Sequence, residues 1–324
     1  MKYVFFLIIL INISISSIAW GFFAHRKINY YAVFLLPPEM ILFYKQNSDF
    51  LSEHSVDPDK RRYVITQEAP RHYIDIDRYG TFPFQALPRR WSDAVSKFTE
   101  DSLMQHGIVP WWVQIMLNRL TNAFREKNQS MILKLSAEIG HYIADAHVPL
   151  HACSNHNGQY TGQKGIHGFW ESRVPELLAD KEWDFFIGKA GYIKSPGDYI
   201  WNRVLESALA ADTLLTYEKQ LTLKFPADQK YAFEDRNGVV LRQYSTWFTI
   251  AYDNKLNGMI ERRMRLSIYS VAAFWYTAWI NAGQPDLTQL INKEFTPEEL
   301  LQFEILNSTW KNSPGADEHE YPAP

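Results

Sequence analysis

Between residues 141 and 171 the chain reads HYIADAHVPLH and then, after a loop, HGFWE. Each segment places a histidine and a carboxylate at i and i+4: His141 with Asp145, and His167 with Glu171. On a helix those positions stand one above the other on one face. His151 follows just past Pro149, where a helix should bend or end and could turn the ring back toward that face. Helix bundles build core metal sites from such inward-facing pairs on rigid helices. One pair of this kind also arises as a surface salt bridge. Two pairs linked by a third histidine favour ligation, and nitrogen and oxygen donors suit zinc. Spacing alone reaches no further than a zinc site.

The surrounding pattern predicts an all-α fold, a single multi-helix bundle. AHRKINYYAVFLL carries apolar residues at helical spacing until Pro37 and Pro38 stop it. WWVQIMLNRLTNAFREKN and QSMILKLSAEIGHYIADAH read as two amphipathic helices joined around Asn128. YIWNRVLESALAADTLLTYEKQL is another, and one or two more lie between Val239 and Ala282. Short alternating stretches such as RHYIDID are the only strand-like material. With 46% hydrophobic and 15% aromatic residues, the core can be large.

Residues 1–19 read as a signal peptide, with Lys2 as the positive start, Val4 to Ile11 as the apolar run, and Ser17 and Ala19 before the cut. A membrane anchor is the weaker reading, because Asn12, Ser14, Ser16 and Ser17 interrupt a run already short of the ~20 residues a span needs. The mature chain is then expected to begin at Trp20 and to be secreted or periplasmic. The working domain is expected over 20–285, with 286–324 a partly flexible tail. The sole cysteine, Cys153, excludes an internal disulfide, so core packing or metal must supply stability. Loss of Lys2 takes the net charge from −3 to −4. That mildly acidic surface offers no footprint for duplex nucleic acid.

Further candidates lie in HSVDPDKRRYVITQEAPRHYIDID, where Asp57 and His72 stand fifteen residues apart. Asp59, Asp75 and Asp77 are rival carboxylates, His54 is a rival ring, and composition does not rank them.

Taken together, Trp20 with His25, Asp57 with His72, the triplet His141, Asp145 and His151, and the pair His167 and Glu171 resemble the ligand set of the trinuclear zinc phosphodiesterases. The two branches of that superfamily are the bacterial zinc-dependent phospholipases C and the single-strand-specific zinc nucleases. The resemblance runs from Trp20 to about residue 285. It implies three zinc ions. Asp57, His72, His141 and Asp145 would hold one, and Asp145 would bridge to a second held by His25 and by the free amine and carbonyl of Trp20. His151, His167 and Glu171 would hold the third. Signal cleavage would thus create a ligand. Asp145 and Asp57 would be the catalytic carboxylates, and a hydroxide between the bridged pair would attack phosphorus in line.

The resemblance also implies substrate contacts. Tyr73 and Asp75 match positions beside the base in the nucleases, and Lys60 or Arg61 could meet phosphate. Cys153 is expected to be a buried bystander, and His54, His106, His147 and His319 to lie outside the site. The spacings from Trp20 to His25 and from Asp57 to His72 look like the nucleases. Glu171 and the short loop ACSNHNGQYTGQKGI look like the phospholipases, and the loop lacks the Gly-Gly-Asn run that shapes a nucleotide pocket. Trp91, Trp111, Trp112 and Trp170 could favour a lipid surface, though most are expected to be core. The expected function is therefore a zinc-dependent phosphodiester hydrolase leaning to phospholipase C, and the expected partner a phospholipid. The alternatives are a secreted nuclease acting on single-stranded nucleic acid and a non-catalytic zinc-binding protein. A monomer is the default.

Overall fold

A helix buried on every side lies at the centre of its fold, and the end of one helix is placed so, although it carries Glu138, His141 and Asp145. In the computed structural model, which describes residues 21–236 and 239–311, every residue from Leu135 to Asp145 is buried. This stretch ends α8 (Gln129–Asp145), whose start is capped by the Asn128 carboxamide oxygen accepting from the Met131 amide at 3.2 Å. Among the elements packed on it are α1 (Phe22–Ala32), α3 (Ser48–Glu53), the single turn His54–Val56, α7 (Val109–Arg125) and α13 (Met259–Asn281).

The first half of the chain adds α2 (Pro38–Gln46), α4 (Asp57–Arg62), α5 (Trp91–Phe98) and α6 (Glu100–His106). The second half adds α9 (Ile166–Gly168), α10 (Val174–Glu182), α11 (Pro196–Lys224), α12 (Thr246–Leu256) and α14 (Pro297–Lys311). Pro38 and Pro196 stand in the first turns of α2 and α11, where a missing amide proton costs nothing. Trp275 of α13 is fully buried, lies 5.0 Å from the Tyr44 ring, and donates its indole N–H to the Ser136 carbonyl at 3.0 Å. The fold is all-α, as the helical spacing predicts.

Two local expectations differ. RHYIDID forms no strand: its segment is a run of single-turn helices at Ala69–Arg71 and Ile76–Tyr79. The described sheet is one antiparallel hairpin, β1 (Tyr231–Arg236) with β2 (Val239–Tyr244), in register Tyr231 to Tyr244. Trp111, Trp112 and Trp170 are core, as expected of most of these tryptophans, and Trp91 stacks edge-on against Trp111 at 5.3 Å. In the tail, α14 packs on α4, with Phe303 against Phe50 and His54.

Small residues let α1 and α8 meet. A Cβ on Gly140 would lie 2.1 Å from Asn29 Oδ1, while Asn29 Nδ2 donates to the Ala137 and Leu51 carbonyls. That close approach carries His25 of α1 onto His141 of α8, their rings stacked at 3.8 Å.

Candidate metal centre

Five buried side chains converge where α1, α4 and α8 meet. His141 and Asp145 stand one turn apart at the end of α8, His25 comes from α1, Asp59 from α4, and His72 from the turn after Ala69–Arg71. Two donors on one tetrahedral zinc, each at ~2.0–2.1 Å from the metal, stand about 3.4 Å apart. His72 Nδ1 is 3.0 Å from His141 Nε2 and 3.0 Å from Asp145 Oδ2. His141 Nε2 is 3.2 Å from Asp145 Oδ2, and Asp59 Oδ1 lies 3.7 and 3.6 Å from the His72 and His141 nitrogens. These five separations are close to those expected between donors on one zinc. The other oxygen of Asp145, Oδ1, faces His25 Nε2 at 3.5 Å, so this carboxylate stands between two donor groups.

A second constellation forms beside it. His151 Nε2 lies 3.0 Å from His167 Nε2 and 3.6 Å from Glu171 Oε2, and His167 Nε2 lies 2.9 Å from Glu171 Oε2. The helix breaks into a π turn at Phe169–Arg173, where Glu171 sits. Two of the histidines are aimed by backbone carbonyls. His141 Nδ1 donates to Ser55 at 2.8 Å and His151 Nδ1 to His72 at 2.7 Å, which leaves Nε2 of each bare and directed inward. The loop between His151 and His167 is tied down from within, Asn157 Oδ1 accepting from the Gly165 amide at 2.9 Å. Gln163 joins it to α11 by donating to the Leu215 carbonyl at 2.8 Å.

The donor set fits a metal. Both oxygens of Asp59 are buried without a hydrogen-bond partner among the described residues, an arrangement that is costly unless a cation completes it. Burial, with Asp145 and Glu171 adding to it, pushes the Asp59 carboxyl well above the usual range. Burial also acts to raise Asp145, but His141, His151 and His25 outweigh it and hold that carboxyl well below the usual range. His72 is pushed down to about 3 by burial, and His167 to about 3 by burial with Arg62 adding to it. Both rings are therefore neutral near pH 7, as ligation requires.

These shifts set an acid sensitivity. The unfolded chain takes up both protons as pH falls through the ordinary histidine value of about 6.5, whereas the folded chain holds out until about 3. Stability of the metal-free protein should thus be full above pH 6.5 and fall progressively toward pH 3. Urea midpoints of chelator-treated protein at pH 7 and pH 4.5 check this, the second being expected to be lower.

Asp57 is not brought to the centre. Its Oδ2 meets His54 Nδ1 at 2.6 Å and its Oδ1 accepts from Lys60 Nζ at 2.9 Å. Burial acts to raise this carboxyl, but His54 and Lys60 outweigh it and hold it below the usual range. Asp59 takes the place expected of Asp57. Lys60 is likewise turned away: its buried Nζ also donates to Asn307 of α14 at 2.7 Å. Arg61 is engaged by Glu138 at 2.6 Å. Arg62 Nη1 lies 3.8 Å from Asp59 Oδ1. Helix geometry explains the exchange, since Asp57 and Lys60 share one face of α4 while Asp59 and Arg62, also three apart, share another.

Tyr73 and Asp75 follow His72 directly, on a segment held to His151 by the Ile74 amide donating to its carbonyl at 2.8 Å. The Tyr73 hydroxyl donates to the Gln105 carbonyl at 3.2 Å. Asp75 is pushed up to about 7 by burial, with Asp77 adding to it, and stands 3.7 Å from His106. His156, which the spacing argument passed over, lies with its ring 6.4 Å from His167. Cys153 is half-buried, its thiol pushed up by burial, and holds no place in either constellation. His147 is bonded within the core to Ile143 and Ser270. Trp20 and His319 lie outside the described residues.

No curated protein matches the sequence significantly. A family model described as zinc dependent phospholipase C matches residues 24–222. That span covers more than half of the chain and takes in both constellations, from His25 to Glu171. The chain belongs to the zinc-dependent phospholipase C family.

Proposed function

We propose that the protein is an exported zinc-dependent phosphodiesterase of phospholipase C type, which cleaves the glycerol–phosphate ester of a phospholipid. The observation that carries the hydrolytic part is Asp145, one buried carboxylate presenting Oδ2 to His72 and His141 and Oδ1 to His25. The lipid part is supported by the family match, by Glu171, and by the short loop from His151 to His167.

Asp59, His72, His141 and Asp145 would hold one zinc. His25 and Asp145, with the amine and carbonyl of a mature Trp20, would hold a second, and His151, His167 and Glu171 a third. Gly21 lies against Ser172, the residue after Glu171, which supports placing the new N-terminus at the centre. When bound, zinc supplies a water acidic enough to ionise near neutral pH and positive charge to offset that of the phosphodiester. The chain fixes the spacing of the donors through Asp145 and keeps the histidines neutral by burial. It also offers the Arg62 guanidinium to a phosphate oxygen, a charge-assisted contact well matched to that anion.

The terminal-ligand part has a direct consequence. Adding one residue before Trp20 converts its amine to an amide with no lone pair to give. The expected result is loss of one zinc and most activity, measured by metal analysis and turnover of purified mature protein. Full zinc occupancy with unchanged turnover would contradict it.

Nuclease activity is the second reading, favoured by Tyr73 and Asp75 standing directly after His72. Substrate class is tested by giving zinc-loaded mature protein phosphatidylcholine vesicles, single-stranded DNA and RNA in parallel, with a chelator control. Chelator-sensitive release of a phosphorylated head group with diacylglycerol is the expected result. Release of nucleotides instead would move the protein to the nuclease branch, and no product at full zinc occupancy would leave zinc binding alone.

A further inference from the structure

His72 is oriented opposite to its neighbours. His141 and His151 turn Nε2 inward because Nδ1 of each donates to a backbone carbonyl. His72 instead turns Nδ1 to Asp145, Asp59 and His141. To act as a donor there Nδ1 must be bare, so the ring proton must sit on Nε2. That nitrogen is buried and has no hydrogen-bond partner among the described residues. The carboxylate oxygen facing it is Glu68 Oε1, 3.8 Å away, about 1 Å beyond hydrogen-bonding distance.

Glu68 is fully buried and accepts three hydrogen bonds. Its Oε2 accepts from Arg71 Nη1 at 2.6 Å and from Arg61 Nε at 3.3 Å, and its Oε1 accepts from the Tyr142 hydroxyl. Arg71 is fixed in turn over the Trp112 ring at 3.9 Å, and Arg61 is bonded to Glu138. An ionised carboxylate has acceptor capacity beyond these three bonds, and His72 Nε2 lies 3.8 Å from Oε1. Carboxylates in this relation to a ligating histidine set its tautomer and raise its basicity.

We propose that Glu68 is a positioning residue for the metal centre, which holds the His72 proton on Nε2 and so keeps Nδ1 available as a ligand. The inference rests on the reading of His72 as a ligand and reaches past it to a residue outside the donor set. Metal affinity, rather than turnover, is the readout. In zinc-loaded mature protein, Glu68→Gln should weaken the most affected zinc about 10- to 100-fold in a competitive chelator titration. Glu138→Gln alters the same buried network without facing His72, and should keep wild-type zinc affinity even if it lowers the unfolding midpoint. Unchanged affinity in Glu68→Gln, or an equal loss in Glu138→Gln, would overturn the proposal. Where Glu68→Gln does not fold, a crystal structure of the zinc-loaded wild type decides. Nε2 of His72 within about 3.2 Å of Glu68 supports the proposal and a persistent gap overturns it. His72→Ala with three zincs retained would sink the ligand reading itself, a separate failure.

Discussion

Asp59→Asn is expected to lose one zinc and at least about 100-fold in turnover, because changes even one shell further out cost 10–100-fold, whereas Asp57→Asn keeps all its zinc. The two carboxylates are two residues apart on one short helix and would be hard to separate by sequence inspection. Their surroundings separate them. Asp59 has both oxygens buried without a hydrogen-bond partner among the described residues and stands within 3.7 Å of the His72 and His141 nitrogens. Asp57 already accepts from Lys60 and meets His54. Its loss should appear as stability, about 2 kcal/mol for a hydrogen bond to a charged group, through a weakened Lys60 link to Asn307 and α14. Metal analysis, turnover and urea unfolding of the two variants give a crossed pattern. Zinc loss in Asp57→Asn with normal content in Asp59→Asn would reverse the assignment.

Asp145→Ala carries the other large effect. Its two oxygens face different histidines, Oδ2 toward His72 and His141, Oδ1 toward His25, so one truncation takes the shared donor from both groups. The expected outcome is a fall from three zincs to one, retained by His151, His167 and Glu171, with turnover down at least about 1,000-fold, some 4 kcal/mol of barrier. His167→Ala should leave the opposite remainder, with the third zinc lost and the paired ones kept. Retention of three zincs by Asp145→Ala would mean that the carboxylate is a structural acceptor.

Much of this architecture is legible in the chain because it is local. The i, i+4 spacing of His141 and Asp145 needs only a helix to become a pair of stacked donors, and Asn128 marks where that helix starts. His151 returns to the centre because the helix ends at Asp145, before Pro149. What escaped the reading depends on which way a short element rolls. Asp57 and Asp59 open α4 on different faces, and only the packing of α4 against α8 and α14 decides which face meets the histidines. The same roll turns Lys60 toward Asp57 and Asn307 and brings Arg62 to within 3.8 Å of Asp59. The hairpin was missed because Tyr231–Arg236 mixes charged residues into its alternation. Glu68 was missed because its partners Arg61, Arg71 and Tyr142 come from three separate segments.

On this reading the chain would hold three zincs, two of them sharing Asp145, with Asp59 rather than Asp57 as the carboxylate from α4. Anomalous scattering measured on both sides of the zinc absorption edge, from crystals of mature protein beginning at Trp20, tests it directly. Three peaks are expected: one among Asp59, His72, His141 and Asp145, one between Asp145, His25 and the N-terminus, and one among His151, His167 and Glu171. Peaks absent from these positions, or a peak at Asp57, would contradict it.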